Sequence, residues 1–198
     1  MVYAAFGLTA GADWEIWAAE VAMYPYFRMF KELFKFRNAP PLGILEPHIS
    51  THRIWPWDLD PWMELNNGRT LTLFDLGRIP LGKRTGLHRV LAEQGWGLTV
   101  AGNSTRYRRR VTVFQRLTQV TRTIGWDARF LYIEQSFWRG EECTAHMLLR
   151  SAFISKSGMI APALVLQALG ADQTSPPLPD WVTTWIAAEA SRPWPPLR

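Results

Sequence analysis

Four stretches of the chain, 97–107, 111–124, 128–138 and 142–155, are rich in Val, Thr, Phe, Tyr and Ile, which predicts strands, and the last shows the alternation of a period of two. In the last stretch Cys143, Ala145, Met147, Leu149, Ser151 and Phe153 fall on one face, and Thr144, His146, Leu148 and Arg150 on the other. Turn chemistry separates the stretches at Gly125-Trp126-Asp127 and Arg139-Gly140. A sheet with only one fully apolar face suits antiparallel strands curled around a helix.

That helix is expected from Asn67. Leu71, Leu73, Phe74 and Leu76 suit a mostly buried helix, Asn66 is a good N-cap, and Pro80 is expected to end or kink it. A second short helix is predicted over 83–94, ended by Gly95, with others over 161–170 and 180–190. Residues 49–57 read as extended. Residues 1–22 read as a weak helix and an upstream extension, as if from an alternative start. Asp13, Glu15 and Glu20 interrupt it, and it lacks the basic start and clean apolar run of a signal peptide. Residues 24–37 are basic and aromatic, with Phe27, Phe30 and Phe34 on one helical face. Such a segment either lies on an anionic membrane surface or docks on the domain by its Phe stripe, and docking is the expectation.

Composition narrows the function classes. The net charge is +5 and 18 of the 22 basic residues are Arg, which favours anionic partners such as a phosphorylated carrier. No zinc spacing, basic-region heptad or aromatic RNA-binding strand motif is present, so nucleic acid is not expected. The single Cys143 excludes an intrachain disulfide, and the four scattered His give no metal spacing. No run of 18 apolar residues occurs, so no membrane span is expected. The 11 Trp, among them Trp55, Trp57, Trp62, Trp96 and Trp126, suit deep packing or a pocket for an apolar ligand.

The segment before the long helix carries the candidate chemistry. Trp57, Asp58 and Asp60 are followed by Asn66, Asn67, Gly68 and Arg69, and then by Asp75 and Arg78 within the helix. This order resembles the 4-hydroxybenzoyl-CoA thioesterase group of hotdog-fold acyl-CoA thioesterases, and within it the branch named thioesterase superfamily member 6. The stretches 106–109 and 130–135 resemble that branch as well, and the likeness spans roughly residues 44–160. The resemblance implies an α+β hotdog fold, an antiparallel sheet wrapped around a central helix, with extra terminal helices. It implies a homodimer or dimer of dimers whose sheets join, and an acyl-CoA or acyl carrier protein substrate, without metal or cofactor. It divides the chain into an N-terminal extension (1–43), the thioesterase-like domain (44–170) and a Pro- and Trp-rich tail packed on it (171–198). The expected location is cytoplasmic, with peripheral membrane contact through residues 24–37 as the alternative to their docking on the domain.

Thioester hydrolysis needs an activated water or nucleophile and a place for the oxyanion. A helix N-terminus offers free N–H groups, so Asn67 and Gly68 are expected to hold the thioester oxygen. Asp60 matches the group's catalytic Asp, as base or nucleophile, and otherwise caps a turn before Pro61. Asp75 matches the acid that other hotdog thioesterases carry on the central helix, and otherwise pairs with Arg78 or Arg69. Trp62, Asn66, Arg69, Arg106, Arg108 and Arg109 are the expected substrate-binding residues. Trp62 and Glu64 stand where plant-type acyl-carrier-protein thioesterases have Asn and His, so the motif supplies no histidine. That departure favours, as the alternative, a non-catalytic hotdog protein that binds acyl-CoA or fatty acid.

Overall fold

A computed structural model describes residues 24–196; the helix expected over 1–22 lies outside them. The elements run α1 (Tyr26–Lys35), β1 (His48–Arg53), α2 (Asn67–Arg84), α3 (Leu87–Gln94), β2 (Gly97–Tyr107), β3 (Arg116–Trp126), β4 (Leu131–Arg139), β5 (Glu142–Ser155), β6 (Gly158–Ile160), α4 (Pro162–Leu169) and α5 (Asp180–Ser191). The strands form one antiparallel sheet in the order β1-β3-β4-β5-β2, with β6 paired to β5. The sheet curls around α2, as expected of a hotdog fold. Leu73, Phe74 and Leu76 of α2 share one core with Leu117, Ile133, Phe137, Met147, Leu149 and Phe153 of the sheet. Phe74 stacks on Phe137, with ring centroids 4.3 Å apart.

Local chemistry fixes where α2 begins. The Asn66 side chain accepts from the Arg69 N–H at 3.0 Å, satisfying one of the free donors of the first turn. Of the two outcomes expected at Pro80, an end or a kink, the end does not occur, and α2 runs on to Arg84. A proline removes one helical hydrogen bond and costs about 3 kcal/mol in a free helix. Here Leu76, Pro80 and Leu81 are all buried, and that packing outweighs the local penalty. The next helix therefore starts at Leu87 rather than 83, after Gly86 in the left-handed region (φ 79°). The strand expected from 111 begins only at Arg116, since the preceding segment bonds back to the chain before α2 through Leu65 N–H to Val111 O (2.8 Å) and Phe114 N–H to Ile54 O (2.7 Å).

Both faces of the sheet are used. The convex face carries a smaller apolar cluster in which Tyr132 and Leu148 are covered by Val182, Trp185 and Ile186 of α5. The Phe stripe of α1 does not dock on the domain: Phe27, Phe30 and Phe34 are exposed, while Met29 packs on the core and Glu32 is buried. Helix polarity alone cannot say which side meets the domain, and here the fastening is polar, through Arg28 to Asp58 (2.7 Å) and to the Arg53 carbonyl (2.9 Å).

Candidate functional site

The middle of α2 rests on polar side chains. Gln119, Thr121 and Gln135 face inward from β3 and β4 and are fully buried. Gln135 donates to the Phe74 carbonyl of α2 at 2.8 Å and to Thr121 Oγ1 at 2.9 Å, and Gln119 reaches the same two acceptors at 3.0 and 3.2 Å. Gly77 makes this approach feasible, for a Cβ there would lie 2.3 Å from both the Gln119 amide nitrogen and Thr121 Oγ1. The remaining acceptor of Gln135 takes a 2.6 Å hydrogen bond from Arg78 Nη1.

Arg78 is thereby aimed at Asp75, to which its other terminal nitrogen is paired one turn back along α2. Burial lowers the Arg78 pKa to about 10, so it remains a cation at neutral pH. The Tyr24 hydroxyl lies 3.5 Å from the other Asp75 oxygen, and burial raises its pKa. Asp75 and Arg78 line a cavity of about 240 Å³ between α2, α3 and the first residues of β2. Its walls are mostly apolar, with Ile79, Leu98, Val100, Ile133 and Leu149 set against a few polar groups, among them Thr99, Ser151 and His88. An apolar pocket with a few convergent polar groups is the usual form of a small-ligand site. His88 packs against Gly82, where a Cβ would sit 2.7 Å from its Nε2. Burial first, and Lys83 second, lower its pKa, so the imidazole is neutral at pH 7.

The loop before α2 is built differently. Asp58 is buried, accepts from Arg28 and the Trp55 N–H (2.9 Å), and lies 3.4 Å from Arg69 Nε. Asp60 is half-buried and closes a tight turn, its Oδ1 accepting the N–H groups of Trp62 (2.9 Å) and Glu64 (3.3 Å). Trp62 is exposed, and Glu64 pairs with Arg110. Asn66 is the cap; Asn67 and Gly68 lie exposed at the first turn, where the Tyr107 hydroxyl reaches the Asn67 carbonyl (3.4 Å). Arg109 is tied to Glu142 (2.6 Å), and Arg106 opens onto a groove on the convex face beside His146 and Trp181. Of the residues singled out from the sequence as site residues, Asp75 lines the cavity and the others lie elsewhere.

Sequence reasoning passed over Gln135 and His88. A polar residue on the inward, otherwise apolar face of 131–139 was a signal for Gln135. Nothing local marked His88, which α3 brings to the cavity by folding back. His48 and His52 have other partners, Arg84 (3.1 Å) and Ser50 (2.8 Å). Among the described residues no group of three or more His, Cys, Asp or Glu is placed to hold a metal.

The chain is similar to known proteins in sequence and in fold. Residues 54–186 match the family described as the thioesterase-like superfamily. Protein THEM6 of Xenopus laevis is 30% identical over 146 residues, covering 72% of this chain and 69% of that protein. A 1,4-dihydroxy-2-naphthoyl-CoA thioesterase from Synechocystis shares the fold with a TM-score of 0.54 at 10% identity, covering 63% of this chain and 95% of that one. A Staphylococcus aureus protein solved in complex with CoA does so with a TM-score of 0.54 at 10% identity, covering 71% and 94%.

Proposed function

The chain belongs to the thioesterase-like superfamily, and from that premise we propose that it hydrolyses an acyl-CoA to the free acid and CoA. The observation that carries this reading is the apolar cavity bordered by the Asp75–Arg78 pair. The acyl group fills the cavity. Asp75 draws a proton from a water that attacks the thioester carbonyl, and the Arg78 guanidinium, steadied by Gln135, faces the developing oxyanion. The C–S bond breaks, the hydroxyl stays on the acyl carbon and the proton passes to the CoA sulfur. Neutral His88 is a second proton carrier on the same wall.

Asp75 is preferred to the loop carboxylate because Asp60 does not line the cavity and one of its oxygens is held by its own turn. Arg108 at the end of β2 is the candidate for the CoA phosphates, or for the phosphopantetheine of an acyl carrier protein, since Arg109 is tied to Glu142 and Arg106 opens outward. The edge strand β2 has Leu98 and Val100 exposed beside the cavity, and pairing this edge with a second copy would cover them and give the homodimer expected of the family.

One observation favours the second reading, acyl-CoA binding without turnover: Asp75 already has a cationic partner. Thiol release from short, long and aromatic acyl-CoAs, with binding of the same ligands measured alongside, separates the two. Release above the uncatalysed rate supports hydrolysis. Tight binding with no release from any of them overturns it.

A further inference from the structure

The exposed face of α1 is unlike the rest of the surface. At about 100° per residue, Phe27 and Phe34 lie within about 20° of one another and Phe30 about 60° away, while Lys31 and Lys35 flank them on the other side. The fractional exposures of Phe27, Phe30 and Phe34 are 93%, 60% and 65%. The opposite face is the one that meets the domain, through Met29 and Glu32. The helix is thus apolar toward solvent and fixed in that orientation by Arg28, which also fastens it to the turn bearing exposed Trp57.

A second feature lies at the C-terminal end of the stripe. A cavity of about 330 Å³ is lined there by Leu33, Phe36, Arg37, Pro80, Lys83 and Arg84 among others, and the charged groups among the described residues that line it are all basic. Arg37 joins this cavity to the stripe: its guanidinium lies 3.7 Å from the centroid of the Phe34 ring, and its Nη1 donates to the Phe34 carbonyl at 2.8 Å. Arg84 is held in place by two bonds to the Pro40 carbonyl. Among the described residues no acid lines the pocket to balance these cations.

We propose that the outward face of α1 docks on an anionic phospholipid bilayer, the Phe stripe entering the acyl boundary and the Arg37–Lys83–Arg84 pocket holding a lipid headgroup phosphate. The two features complement the two parts of such a lipid at once, apolar chain and phosphate. A second copy of this face is a poor occupant, since it would set Lys31 and Lys35 against their own kind. The inference stands apart from the reaction and does not depend on it.

Flotation of the full chain with vesicles tests it, using phosphatidylcholine alone and phosphatidylcholine with roughly one third phosphatidylserine. Binding to the anionic vesicles only, weakened by salt, is expected. Phe27→Ser/Phe30→Ser/Phe34→Ser and, separately, Arg37→Gln/Lys83→Gln should each lower partitioning about tenfold or more. All five side chains are surface or pocket-rim groups, so circular dichroism should stay unchanged in both variants, and thiol release from a soluble acyl-CoA should stay unchanged in the triple Phe variant. No binding to either vesicle by the wild type overturns the proposal. So does binding that survives the triple Phe change, which would move the contact to another segment such as 1–23. A triple variant that changes oligomeric state in light scattering without changing vesicle binding reassigns the face to a copy–copy interface. Inorganic phosphate that shields Lys83 from an amine reagent while vesicles do not would make the pocket a site for free phosphate instead.

Discussion

The loop that leads into α2 and the middle of α2 both carry acids, and they solve opposite problems. In the loop, Asp58, Asp60 and Asn66 are taken up by backbone N–H groups and by two arginines, so the loop is shaped and capped by them. About 12 Å along the axis, Asp75 and Arg78 are paired with each other, steadied from below by Gln135, and left bordering a cavity. The same residue types build architecture in one place and a lined space in the other. The difference is what closes each group: Asp60 and Asn66 are held by the backbone of their own turn and Asp58 by arginines of α1 and α2, whereas the Asp75–Arg78 pair is steadied by a strand distant in sequence and left beside a cavity.

The sharpest test of that contrast is Asp75→Asn. The change keeps the shape and one acceptor for Arg78, so the denaturation midpoint should move little. Turnover of the best acyl-CoA should fall by about 10²–10⁴-fold, the usual worth of a positioned base, with KM changing far less than kcat. Unchanged kcat would remove the helix acid from the chemistry. Asp58→Ala should do the reverse. It removes the buried carboxylate that Arg28 and Arg69 share and should cost about 3 kcal/mol in urea unfolding. Activity per folded molecule should persist, because Asp58 does not border the cavity.

Much of this was legible beforehand, for a physical reason that differs by element. The strands showed through because alternation is imposed by which face is buried, and the start of α2 showed because Asn66 caps locally. The course of α2 through Pro80 did not, since burial of Leu76 and Leu81 against remote parts of the chain decides it. The orientation of α1 was misread for the same reason: a Phe stripe predicts an apolar face but not what meets it. At the site, Asp75 was nameable from the family resemblance, yet its steadying by Gln135 spans 57 residues through Arg78, and His88 arrives by the fold-back of α3. Pairings of that range leave no local pattern.

The far end of α2 extends the comparison to pH. There Arg84 meets His48 on β1, and His52 lies two residues beyond Ser50 on the same buried face. Burial first, then Arg84 and Lys35, holds His48 down at about 4; burial, then Arg28 and neighbouring lysines, holds His52 at about 3, against 6.5 for both when exposed. Folded protein therefore binds fewer protons than unfolded protein below 6.5. Stability is full above that value and declines as pH falls through the range down to about 3. Urea midpoints at neutral and mildly acidic pH should differ by on the order of 1–3 kcal/mol. Replacing His52 by Gln should flatten the slope, and a slope unchanged by that substitution would assign the acid sensitivity to other groups.

The smallest expected effect bears most directly on the contrast between the two regions. In Asp60→Asn, the amide oxygen can accept the Trp62 and Glu64 N–H groups as the carboxylate does, so the turn should survive with a loss below about 1 kcal/mol. If Asp60 only shapes the loop, turnover should stay within a few-fold of wild type, and the proton transfer remains with Asp75. If turnover instead collapses by about 10²-fold or more while Asp75→Asn is tolerated, the roles are exchanged. Asp75–Arg78 is then an ion pair that holds the cavity wall, and the thioester oxygen belongs beside Asn67 and Gly68 at the helix start, where the loop carboxylate can reach it. Measuring both variants with one substrate, at equal folded fraction, decides which end of α2 is architecture and which is chemistry.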